Sequence, residues 1–70
     1  MTDRIEIVMN GKPQLVAKGL SVSAWADALE VPVALLLIEH NRRALHREEW
    51  ASTFLRPGDQ LEILKIAAGG

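Results

Sequence analysis

The sequence predicts an α+β fold: a mixed sheet of four to five strands with one main helix packed on one face. Three observations carry this expectation. Apolar residues alternate near both ends of the chain, at Ile5 and Ile7 and again at Leu61 and Ile63. Between them, Val22, Trp25, Ala26 and Leu29 fall at the i, i+3, i+4, i+7 spacing of a single helical stripe. Strong turn signals, Asn10-Gly11 and Pro57-Gly58, separate the segments. Seventy residues, 49% of them hydrophobic, suffice for one domain with one modest core.

The first element is Arg4 to Met9, a strand with Ile5 and Ile7 on one face. Asn10-Gly11 closes it as a hairpin, because a type I′ turn requires positive φ at both central positions. Lys12 to Val16 is the returning strand, and Pro13, which lacks an N–H, makes it an edge. Gly19-Leu20-Ser21 interrupts the alternation and starts a helix of two to three turns, with Ser21 or Ser23 as the N-cap. Pro32 ends it and disfavours helix at Val31.

Periodicity leaves Leu35 to Glu39 open between helix and strand. Its flanks, Pro32 and Asn41, favour a buried strand. Asn41-Arg42-Arg43 then turns into a short strand at Ala44-Leu45, and Arg47 to Trp50 forms a brief helical turn. Arg56-Pro57-Gly58-Asp59 has turn chemistry, and Gln60 to Ile66 is the last strand. A lone helix between two hairpin-like halves must lay its stripe across one face of the sheet. The first and last strands, the most continuously apolar, belong side by side at its centre. This arrangement is the β-grasp fold of ubiquitin, expected over residues 1–66, with 67–70 as a flexible C-terminal tail.

Composition narrows the function. Without cysteine the chain has no disulfide framework, no thiolate metal ligand and no thiol nucleophile, and nothing points to secretion. The longest apolar run, Val31 to Ile38, is far short of the ~20 residues of a membrane span. A net charge of −1 gives no basic footprint for nucleic acid. A cytoplasmic protein binding neither membrane nor nucleic acid is expected.

Residues with reactive or ligating side chains find blander roles. The glycines at 11, 19 and 58 are isolated, matching no phosphate-binding loop. His40 and His46 flank a turn beside Glu39, but a metal site needs a third and fourth ligand, and surface roles are the better account. Ser21, Ser23, Ser52 and Thr53 have no visible base, so capping and turn roles suffice. Glu48 and Glu49 point apart on a helical turn. Trp25 and Trp50 belong to the core, and the basic cluster of Arg42, Arg43 and Arg47 to a solvated surface, contact with an acidic partner being its alternative role. No catalytic residue is expected: the chain is not an enzyme.

The terminus remains. Gly69 and Gly70 carry no Cβ, so the backbone there fits a channel too narrow for side chains, and Ala67 and Ala68 keep the approach slim. Four extended residues reach roughly 13–14 Å, at ~3.3–3.6 Å each. An ionised α-carboxylate at Gly70 would thus reach an active site on another protein while the body docks outside. A frayed end is the alternative.

Ile38 to Trp50, with Asn41, Arg47 and Trp50, is similar to a Val-x-x-Asn-x-x-x-Val-x-Arg-x-x-Trp region. Leu55 to Ile63 is similar to a Leu-x-x-Gly-Asp-x-Val-Glu-Ile segment. With Asn10-Gly11 and Gly69-Gly70, these make the chain resemble the ThiS family, the ubiquitin-like sulfur carriers of thiamine (thiazole) biosynthesis, over nearly its whole length. It departs at Arg42, where relatives often have glycine, and at Ala67-Ala68, where a bulkier residue or a third glycine is common.

The resemblance implies a protein co-substrate. An E1-like adenylyltransferase uses Mg-ATP to adenylate the Gly70 carboxylate. A sulfur donor, a cysteine desulfurase or persulfide protein, then displaces AMP to leave a thiocarboxylate, which donates sulfur to thiazole synthase. The chain itself holds no tightly bound cofactor. Ala67, Ala68 and Gly69 would thread into the partner, and Glu62 and Lys65 are candidate docking residues. The alternatives are a carrier of another pathway, of the molybdopterin synthase small-subunit type, and a non-reactive β-grasp binding module.

Overall fold

A computed structural model describes residues 3–66 of the chain. Its elements are β1 (Arg4–Met9), β2 (Lys12–Ala17), α1 (Val22–Asp27), a 3₁₀ turn at Val33–Leu35, β3 (Leu36–His40), β4 (Arg43–Leu45), a second 3₁₀ segment at Arg47–Ser52, and β5 (Gln60–Lys65). The five strands form one mixed sheet in the order β2-β1-β5-β3-β4. β5 is therefore central, parallel to β1 and antiparallel to β3. This is the expected β-grasp arrangement, with the first and last strands adjacent.

Local chemistry explains most of the elements. Asn10 and Gly11 take positive φ values of 49° and 81°, as the two-residue turn between β1 and β2 requires. Pro13 lies on β2, an edge strand of the sheet. The Ser21 hydroxyl accepts the Ala24 N–H at 3.1 Å, which identifies Ser21 rather than Ser23 as the helix N-cap. α1 lays Val22, Trp25 and Ala26 against Ile5, Ile7, Val16, Leu36, Ile38 and Leu61 from one face of the sheet. Trp50 and Leu55 complete this core from the second 3₁₀ segment and the loop that follows it.

Three details differ from the expectation. α1 has six residues instead of two to three turns, because the chain reverses early: Glu30 has φ of 60°. Val33–Leu35, next to Pro32, forms a 3₁₀ turn, so the buried strand begins at Leu36. The turn between β3 and β4 occupies only Asn41 and Arg42, at φ 51° and 69°. Arg42 thus adopts the left-handed backbone that favours glycine, and the turn keeps its tight form despite the side chain.

Candidate functional site

Two regions concentrate unusual chemistry: the outer face of the sheet around the end of β5, and a buried carboxylate under the β3–β4 turn.

α1 covers one face of the sheet and leaves the other open. On that outer face Leu37 of β3 pairs directly with Leu64 of β5, and Glu39 with Glu62. Leu37 and Leu64 are 54% and 60% exposed, against near-complete burial of their neighbours Leu36 and Ile38. The two leucines, with Ala44, Ile66 and the two glutamates, line an open groove of about 430 Å³ that Leu45, His46, Arg47 and Trp50 also border. An exposed apolar patch with a charged border is what an interaction surface presents. The two carboxylates stand directly opposite each other, a like-charge pairing that disfavours the sheet.

The groove lies where β5 leaves the sheet. The last tie of the described chain is the Ile66 N–H on the Leu35 carbonyl. Ala67, Ala68, Gly69 and Gly70, the expected reactive tail, lie outside the described residues. Of the two candidate docking residues, Glu62 sits on the outer face. Lys65 is opposite the buried Leu36, so it belongs to the helix-side face of β5 while remaining exposed to solvent. Strand alternation therefore keeps the two from sharing a surface.

The second region went unnoticed in the sequence. Asp59 is buried, 8% exposed, at the end of the Arg56–Asp59 turn. Its carboxylate accepts the His40 Nε2–H at 2.9 Å, an Asn41 Nδ2–H at 3.2 Å and the Arg56 N–H at 2.9 Å. Asn41 adds a further tie by accepting the Gln60 N–H at 2.8 Å. Because an ionised carboxylate only accepts, His40 Nε2 is the donor in this bond. Burial pushes the Asp59 pKa up, but the hydrogen bonds from His40, Arg56 and Asn41, with the charge of His40, outweigh it and hold the group below the usual value. The cluster joins the β3–β4 turn to the turn that launches β5. It is an anchor for the central strand.

Several of the remaining polar candidates also have local partners. The His46 N–H donates to Glu49 Oε1 at 3.0 Å, starting the second 3₁₀ segment. Arg47 donates to the Val33 carbonyl at 2.7 Å and lies over the Trp50 ring, 4.9 Å from its centroid. Arg43 approaches Glu49 at 3.6 Å. The Thr53 and Ser52 hydroxyls both donate to the Glu49 carbonyl. Both tryptophans are buried, as expected of core residues. No group of three or more metal-ligating side chains comes together among the described residues, and no described helix is long and apolar enough to cross a membrane.

With this geometry in place, comparison with known proteins is specific. A model of the ThiS family matches residues 2–70. The chain is 27% identical over 66 residues to the sulfur carrier protein ThiS of Escherichia coli (strain K12), covering 94% of this chain and 100% of that one. It is also similar to a crystal structure of the thiamine biosynthesis protein ThiS from Geobacter metallireducens. That match has a TM-score of 0.81 and 33% identity, and covers 94% of this chain and 100% of the other. A solution NMR structure of a thiamine biosynthesis protein from the same organism gives 0.79 and 35%, covering 94% of this chain and 88% of that one.

Proposed function

The chain belongs to the ThiS family, and from that membership we propose that it is a sulfur carrier of thiamine biosynthesis whose working group is the carboxylate of Gly70. The observation that carries the reading is the span of the family match, which runs through the Gly69-Gly70 end. The protein is a co-substrate of partner enzymes. Residues 1–66 dock, and 67–70 thread into the partner's active site.

The chemistry follows from what a carboxylate lacks. Its oxygen is a poor leaving group, so an E1-like adenylyltransferase first transfers AMP from Mg-ATP to the Gly70 carboxylate, releasing pyrophosphate. A persulfide sulfur, supplied by a cysteine desulfurase or a persulfide protein, attacks the acyl carbon and AMP leaves. Reductive cleavage of the acyl disulfide by a thiol frees the thiocarboxylate, whose sulfur passes to the substrate held by thiazole synthase. The carrier has no thiol of its own, so sulfur can travel only on the terminus. The apolar groove around Leu37 and Leu64 supports docking of the adenylyltransferase on the outer face, with a basic group of the partner relieving the Glu39–Glu62 repulsion.

The test is an intact-mass measurement after coexpression with the adenylyltransferase and a sulfur source. A gain matching replacement of one oxygen by sulfur, located at Gly70 by fragmentation, is the expected result. An unchanged mass beside a competent activating partner overturns the proposal.

A further inference from the structure

β5 outruns its neighbour. Parallel pairing with β1 ends at Met9 opposite Leu61, where β1 turns away through Asn10-Gly11. β5 continues to Lys65. Asn10 closes the shared edge: its N–H donates to the Leu61 carbonyl at 2.9 Å, and its side-chain Oδ1 accepts the Ile63 N–H at 2.8 Å. The second bond also fixes which way the backbone groups of β5 point. If the Ile63 N–H faces the β1 side, strand alternation turns the Ile63 carbonyl and the Lys65 N–H to that side too. The other side is occupied by β3, as far as Leu36 opposite Lys65. Among the described residues, nothing hydrogen-bonds to the Ile63 carbonyl or the Lys65 N–H on the β1 side.

The other edges of the sheet are protected. β2 carries Pro13, and β4 is only three residues long. The overhang of the central strand has neither device. It carries a single lysine, and it lies one residue before the tail begins. We propose that this open edge, from Ile63 to Lys65, receives an extended strand of the adenylyltransferase, pairing backbone to backbone as the tail enters the active site; the inference rests on the carrier function proposed above. The edge specifies its occupant. The strand's own N–H and C=O groups meet the Ile63 carbonyl and the Lys65 N–H, which side chains do less regularly. An apolar residue belongs opposite Leu64 on the outer face, and an adjacent acidic residue opposite Lys65 on the other. A second copy fits less well. Pairing two such edges puts both Lys65 ammonium groups on the same face of one short ladder.

Two measurements test this. In the native chain, amide exchange followed by NMR should show fast exchange at Lys65 when the protein is free and slow exchange in complex with the adenylyltransferase. Ile63, already bonded to Asn10, should be protected in both. In the second measurement, Lys65→Pro removes the outward N–H without touching the β3 ladder, and Lys65→Ala controls for the ammonium group. The proline variant should bind about three- to tenfold more weakly than the alanine variant, the loss expected for one net hydrogen bond.

Sulfur loading of the native chain without protection at Lys65 overturns the edge proposal and leaves the carrier function standing. Protection without loading sustains the edge and overturns the carrier function. Neither protection nor loading overturns both. Protection that appears in the chain alone as its concentration rises, with a dimer in sedimentation, assigns the edge to a second copy and overturns the proposal.

Discussion

Asp59 shows how one residue fastens two distant turns. It is a buried carboxylate with three donors, and its pKa is lowered because they favour the charged form more than burial opposes it. A carboxyl whose folded pKa is depressed contributes stability above its unfolded pKa, ~3.9 for aspartate, and loses that contribution as pH falls through the folded value. Melting temperature should therefore fall as acid is added below about pH 4. Asp59→Asn removes this component. It should cost about 1–3 kcal/mol at pH 7, since donors arranged for a carboxylate then face an amide. Thermal melts of both proteins across pH check this: the gap between them should narrow in acid. A constant gap would mean that packing, not charge, accounts for the loss. The cluster escaped the sequence reading because its members stand 18 and 19 positions apart. A single sequence marks Asn41 and Asp59 as turn formers but not as partners.

At the scale of elements, strands were more legible than the helix. Alternation and Asn10-Gly11 specify the first hairpin because the two local signals agree with the final packing. The helix end was harder to read, because the apolar stripe continues to Leu29 although α1 stops at Asp27. Its last turn tightens instead: the Ala28 N–H is shared by the Ala24 and Trp25 carbonyls, and the Leu29 N–H reaches Ala26. Glu30 then reverses the chain at φ of 60°, where helices commonly place glycine. A glutamate in the left-handed region costs roughly 1–2 kcal/mol. Glu30→Gly should recover part of this and raise the melting temperature by about 4–8 °C for each 1 kcal/mol regained. A calorimetric scan decides it; a lower melting temperature would show that the glutamate side chain contributes more than its backbone loses. The Val33–Leu35 turn was illegible for a related reason. Its apolar residues continue into β3 without a break in composition, and only Arg47, reaching the Val33 carbonyl from a later segment, marks the difference.

At the scale of the whole molecule, the described core and the end proposed to react occupy different stretches of the chain. Among the described residues, every buried core residue lies between Ile5 and Leu61, and the last backbone tie is made by Ile66. If the terminal glycines serve only to enter a partner, changes there should leave folding alone and abolish function. Deleting Gly70 removes the carboxylate from its place, and Gly69→Trp puts a bulky side chain where a narrow channel must admit backbone. On that premise both variants should keep the native melting temperature to within about 4 °C, the largest shift that a change of ±0.5 kcal/mol makes in a domain of this size. Neither should gain sulfur in the intact-mass assay. A melting temperature that drops by more would make the glycines structural. Full loading of Gly69→Trp would mean that the partner's channel is wide, and the glycine pair would then lose its explanation as a threading device. Among the described residues, β5 is held by β1 up to Leu61, by the Asn10 side chain at Ile63 and by β3 up to Lys65, so a change confined to the last two positions tests the proposed reactive end apart from these ties.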